Sequence, residues 1–307
     1  MTDIAAFDEF ATDNGIAGHN ERLIRVYLEG KTDQTLFQDY WFTDQFSDRI
    51  RVLLPLGGEG GCTAISGAID KSRNDDGIPA FGIVDRDTLL RRKDWQWLYE
   101  PDDEKFRRGN PVGNPCIVVS LFWEIEAYLL EPPLLYDWIR NNHRGCPDAP
   151  CAPTALISDL LEHAICVLEK GPVAAIHQAL KVRFPEKWCV ENSLEEIRRE
   201  RQTFFLKVRT RPDWRESEHQ PVIEIVPQLV DAIRSAALAK EADDAFWWLL
   251  RFVDTKRLLA RLCHRYGLKD TAHWNLAGTM NQSRKYPLEF QAFLERVISA
   301  VDAEYGA

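Results

Sequence analysis

Three short acidic stretches stand out in this 307-residue chain: Glu29-Gly30-Lys31-Thr32-Asp33, Asp85-Arg86-Asp87 and Glu124-Ile125-Glu126. Each follows a short apolar, β-branched run: LIRVYL (Leu23–Leu28), AFGIV (Ala80–Val84) and CIVVS (Cys116–Ser120). Runs of this kind predict strands. In an open parallel sheet, ligands bind beyond the carboxyl ends of the strands, where the strand order reverses. Asp85 and Asp87, two residues apart, project to one side of extended backbone. Glu29 at a strand tip and Asp33 in the first turn of the next helix face one cavity across the intervening bend. Four to six carboxylates packed together repel and need a counter-ion. Oxygen donors with no His or Cys nearby select Mg2+ or Mn2+ over zinc. Two such ions, roughly 3.5–4 Å apart, are the usual device for attacking a phosphodiester. One or two Mg2+ (or Mn2+) ions are therefore the expected cofactor, with Glu29, Asp33, Asp85 and Asp87 as ligands. Were Phe122–Leu130 helical, Glu124 and Glu126 would diverge by about 200° and only one would reach the metal. An acid after a strand is, taken singly, most often a helix cap or a solvated loop residue; three pairs at three strand ends favour a site.

The elements needed to hold these residues are legible around them. Strands over Leu23–Leu28, Ile50–Leu54, Ala80–Val84 and Cys116–Ser120 alternate with helical spacing over Thr32–Trp41 and Thr63–Ser72. That alternation predicts an α/β fold, a parallel sheet flanked by helices. Arg91–Gly113, polar and broken by Pro101 and Pro111, reads as a long connection. From Pro132 onward the strand signals fade, and helical spacing appears over Leu134–Asn141, Thr154–Leu168, Leu194–Val208, Ile223–Ala239, Thr255–Leu262 and Leu288–Val301. The separators carry Pro or Gly, among them Gly171-Pro172 and Arg211-Pro212. The expected organisation is a sheet domain over residues 1–131 and a mostly α-helical part over 132–307.

Charge constrains the partners. With 38 Lys+Arg against 48 Asp+Glu the net charge is −10, so long-range steering repels polyanions. A nucleic-acid substrate must then meet bound cations, a local basic patch, or both. The densest basic stretch is Arg198, Arg199, Arg201, Lys207, Arg209, Arg211 and Arg215, interrupted by Phe204, Phe205 and Trp214; it is either a backbone-contacting surface or a solvated helix face with core aromatics. Arg91, Arg92, Lys93, Arg107 and Arg108 are a second option. The cluster Gly57, Gly58, Gly60 and Gly61 before a helix reads equally as a phosphate loop or a tight turn. His143, Cys146, Cys151, His163 and Cys166 match no common zinc finger, and the nearby prolines favour a plain loop. No apolar run approaches the roughly 18 residues of a membrane helix. The acidic N-terminus, unlike a secretory leader, predicts a cytoplasmic protein whose seven cysteines are mostly thiols.

The string Val26-Tyr27-Leu28-Glu29-Gly30-Lys31-Thr32-Asp33, followed by Ile83-Val84-Asp85-Arg86-Asp87, resembles the Toprim domain shared by topoisomerases, bacterial primases and OLD-type nucleases. The closest likeness is to the OLD-type branch, and within it to the small Toprim effector nucleases of bacterial anti-phage systems. It covers roughly Leu23–Leu130. The chain is too short for a topoisomerase, lacks a primase's zinc ribbon, and carries no Gly-x-x-x-x-Gly-Lys-Ser/Thr stretch. The resemblance implies a Mg2+-dependent nuclease acting on RNA such as tRNA, or on DNA, in anti-phage defence, with a separate ABC- or AAA-type ATPase as partner and a homo-oligomer as one assembly. It also implies that Glu29 serves as metal ligand and general base, and that Lys256 stabilises charge on the phosphate. The rival expectation is a non-catalytic Toprim-like module that docks onto a partner ATPase and senses nucleic acid or nucleotide.

Overall fold

The structure is a computed structural model that describes residues 23–42, 44–56, 61–143, 153–184, 190–268 and 272–305. Gly57, Gly58, Gly60, Cys146 and Cys151 lie outside the described residues.

A four-stranded sheet organises the site. Its strands are β1 (Ile24–Tyr27), β2 (Ile50–Leu53), β3 (Ala80–Val84) and β4 (Ile117–Val119), in the order β2-β1-β3-β4. β1 pairs parallel with β2, Ile24 opposite Ile50, and parallel with β3, Arg25 opposite Ala80 and Tyr27 opposite Gly82. Ile24, Val26, Leu28, Ile83 and Val84 are fully buried, as expected of strands covered on both faces. The chain leaves β1 for β2 on one side and reaches β3 on the other, so the order reverses between β1 and β3.

By packing, the chain divides into two units, Met1–Ile83 with Lys285–Ala307, and Val84–Arg284, so that β3 closes one and opens the other. In the first unit, α1 (Lys31–Thr35) continues as a π-turn over Leu36–Trp41. The widened turn, with Phe42 N–H bonded to Phe37 O at 2.9 Å, lets Phe37, Trp41 and Phe42 all enter the core. α2 (Cys62–Asn74) starts after Gly61, whose φ of 112° is one that L side chains rarely adopt. The C-terminal helix Leu288–Tyr305 also belongs to this unit: Phe290 lies 5.0 Å from Phe37, and Arg49 pairs with Asp302 at 2.7 Å.

The second unit is helical beyond β4. It comprises α3 (Pro132–Asn142), α4 (Pro153–Leu168), α5 (Gly171–Ala179), α6 (Leu194–Val208), α7 (Glu216–Leu238), α8 (Ala242–Leu249), α9 (Thr255–Tyr266) and α10 (Ala272–Gln282). α5, α8 and α10 are additions to the helices the spacing predicts. Gly171-Pro172, expected to separate helices, does stand at the break after α4 and also opens α5, because proline is tolerated in a first turn.

The connection after β3 also differs from expectation: Thr88–Arg91, Trp95–Leu98 and Asp103–Arg108 are short helices. The organiser is Arg86, which is fully buried. Its guanidinium donates to the carbonyls of Leu98 (2.9 Å), Leu121 (3.0 Å), Trp97 (3.2 Å) and Glu100 (2.8 Å). It also lies over the rings of Phe106 (4.1 Å) and Phe252 (4.8 Å). One side chain thus satisfies backbone groups from both sides of β4. A buried charge is tolerated only when its donors are satisfied in this way.

Candidate metal centre

Strand register brings the first and second acidic stretches together. Tyr27 is opposite Gly82, so two residues further along Glu29 leaves β1 beside the point where Val84 gives way to Asp85. Glu29, Asp85 and Asp87 each offer a carboxylate oxygen, and these atoms all lie within 4.8 Å of one another. Among the described residues this is the group of acids or other donors able to share one ion. It sits at the switch point between β1 and β3.

Asp85 and Asp87 are held by neighbouring backbone and by one arginine. Asp85, buried, accepts from Ile125 N–H at 2.8 Å, which ties the tip of β3 to the segment after β4. Ser120 N–H donates to Val84 O (2.9 Å) and Asp87 N–H to Trp123 O (3.1 Å), so the two strand ends stay in register. Arg91, one turn on, reaches the Asp87 carboxylate at 3.1 Å. Asp33 is placed differently: its buried carboxylate accepts from Gly30 N–H at 3.0 Å and caps the start of α1.

Glu124 and Glu126 meet a lysine. Glu124 is extended and precedes a 3-10 turn, Ile125–Leu129, so the pair does not diverge as it would on an α-helix. Both are buried, and Lys256 Nζ lies 2.7 Å from Glu124 and 3.6 Å from Glu126. The other Glu124 oxygen accepts from Lys256 N–H at 3.1 Å, in the first turn of α9, where Asp254 accepts from Arg257 N–H at 2.9 Å. Two orphan donors of that helix end are thereby used, and the negative charge complements the helix dipole.

The electrostatics show a surplus of negative charge. Burial, with Asp254, Glu126 and Asp87 adding to it, pushes the Glu124 carboxyl up to about 8 against the pull of Lys256. Burial likewise raises Asp87, opposed by Arg91 and Lys256. Burial works against the charge on Lys256, but Glu124, Glu126 and Asp85 outweigh it and hold the ammonium protonated well above its usual range. Buried oxygens of Asp87 (Oδ1) and Glu126 (Oε2) accept no hydrogen bond among the described residues. Oxygen donors, crowding and unused buried acceptors together fit a hard divalent cation. Glu29, Asp85 and Asp87 would hold it.

The other sequence-predicted residues do not join this group. Arg198 and Arg201 bind the fully buried Glu169 at 2.8 and 2.7 Å, and Arg234 binds the same carboxylate. Arg211 pairs with Asp213 at 2.8 Å, whereas Arg199, Lys207 and Arg209 are exposed on or just beyond α6. Lys93 pairs with Glu218 and Arg108 with Glu104. His163 Nδ1 accepts from Arg261 Nε at 3.0 Å. Arg86 and Asp254 are the residues of consequence that motif spacing missed; the only signal for Arg86 was its place between two acids. Comparison of the chain with protein-family models, curated proteins and solved structures finds no match.

Proposed function

We propose that this chain is a divalent-cation-dependent nuclease that hydrolyses phosphodiester bonds in RNA or DNA. The observation that carries the reading is the approach of Glu29, Asp85 and Asp87 to within 4.8 Å at the switch point of the sheet. Three carboxylates so close are stable only around positive charge, and the oxygen donor set selects Mg2+ or Mn2+. Bound there, such an ion offsets substrate charge and makes water a stronger acid. Lys256 adds a second positive charge: its side chain is 63% exposed, yet its ammonium is anchored by Glu124 and Glu126. An anchored cation beside a metal site suits a phosphate that gains charge during attack. Local cations of this kind also reconcile a net charge of −10 with a polyanionic substrate. The resemblance to small Toprim effector nucleases supports a role in anti-phage defence beside a separate ATPase.

The test is cleavage of a panel of tRNA, single-stranded RNA and DNA under Mg2+ or Mn2+ titration, with and without the neighbouring gene product. Metal-dependent products from the wild type and none from Glu29→Ala support the nuclease. Substrate binding without cleavage under every condition would favour the non-catalytic module instead.

A further inference from the structure

The basic stretch on α6 does two jobs on two faces. Arg198 and Arg201 turn inward to Glu169. Arg199, Glu200, Thr203, Phe204 and Lys207 lie on a second face, within about 140° of arc at 100° per residue. With His177 of α5 they line a cavity of about 450 Å³. Its aromatic wall is preassembled: the His177 and Phe204 rings stack at 5.0 Å and 13°, and Phe184, not itself a lining residue, buttresses His177 edge-on at 5.3 Å. Burial, helped by Arg211 and Arg257 and opposed by a backbone hydrogen bond with Val182, pushes the His177 imidazole below its ordinary range and so disfavours charge on the wall. The exposed Arg199 and Lys207 supply cations at the rim. Glu200, whose carboxylate accepts from Asn192 at 3.2 Å, supplies a polar acceptor.

We propose that this cavity binds a single phosphorylated nucleoside, either free or at the end of a nucleic-acid chain. An aromatic face offers stacking to any base. Two cations just over two turns apart on one helix offer contact to a phosphate, and one carboxylate accepts from an exocyclic amine. The volume lies in the lower part of the range of roughly 300–1,000 Å³ that small-molecule sites occupy, which suits one nucleotide better than a dinucleotide. The site is built wholly within the second unit and does not depend on the metal centre or on the nuclease reading.

The test is direct binding by the full chain in EDTA, so that any cleavage is silent. The probes are AMP, GMP, CMP and UMP, inorganic phosphate, and a short 5′-phosphorylated oligonucleotide. At least one mononucleotide should bind saturably and better than phosphate. Phe204→Leu and Lys207→Glu should each weaken it about tenfold, with Lys207→Glu also flattening the salt dependence. Unchanged thermal melts confirm that the variants are folded. Binding of the oligonucleotide alone, weakened by the same two variants, supports the chain-end source. Inorganic phosphate binding as well as any nucleotide, no binding by any probe, or binding indifferent to both variants would each overturn the proposal.

Discussion

Glu29, Asp85 and Asp87 carry the account at the level of single residues, and Asp33 supplies its internal control. Replacing any of the three by its amide leaves size nearly unchanged and removes the charge that would hold a cation. Changes to groups that merely orient metal ligands cost roughly 10–100-fold, so loss of a ligand should reduce cleavage by more than about 100-fold. Asp33→Asn keeps an oxygen for the Gly30 N–H, and its activity should stay within a few-fold of wild type in the same assay. An Asp33 variant as dead as Glu29→Gln would return Asp33 to the ligand set. His163 gives a pH prediction of known sign. Burial and Arg261 lower its folded pKa to about 4 from an ordinary 6.5, because Nδ1 must stay unprotonated to accept from Arg261. The unfolded chain therefore binds the extra proton across that window. This contribution to stability is full above pH 6.5 and is lost as pH falls toward 4. Thermal melts should show that slope, and His163→Gln, an acceptor that does not titrate, should flatten it.

At the scale of elements, the segment after β3 is held by Arg86 more than by any helix propensity. Arg86→Met keeps much of the volume and strands four carbonyls, a loss of about 3–5 kcal/mol in urea unfolding. A loss below about 1 kcal/mol would show that the carbonyls find other donors. This also explains what could be read from the sequence. β3 was legible to the residue, Ala80–Val84, because a buried strand is a continuous apolar run bounded by turn residues. α6 was equally legible, Leu194–Val208, because Ser193 and Glu196 form a capping box. The short helices between Thr88 and Arg108 carry no periodicity long enough to detect, since a tertiary contact through Arg86 stabilises them. Gly171-Pro172 marked the break after α4 but concealed the helix that it opens. Those residues mark a helix start as readily as a break, and a Cβ at Gly171 would approach the Tyr99 hydroxyl to 2.3 Å. The acidic stretches announced Glu29, Asp85 and Asp87; that Asp33 is a cap and that Glu124 and Glu126 both reach one lysine depended on local backbone, which spacing does not encode.

At the scale of the whole molecule, the described residues include several buried charges that their neighbours must offset. Glu169, fully buried, is one of these in the helical unit: burial alone would raise it, yet Arg198, Arg201 and Arg234 hold its carboxyl below the ordinary range. It fastens α6 and α7 to the end of α4. Glu169→Ala leaves three guanidiniums around an empty centre and should cost about 3–5 kcal/mol of unfolding free energy. A near-neutral effect would mean that solvent already reaches those cations. No helix among the described residues is long and apolar enough to cross a membrane. The candidate metal centre also gathers charge in one place, and the proposed nuclease reading stands on it. Calorimetric titration of Mn2+ into wild type and Asp85→Asn decides it: saturable binding to the wild type is expected, and Asp85→Asn should abolish it. Absence of binding to the wild type, or binding of equal strength to both, would contradict it.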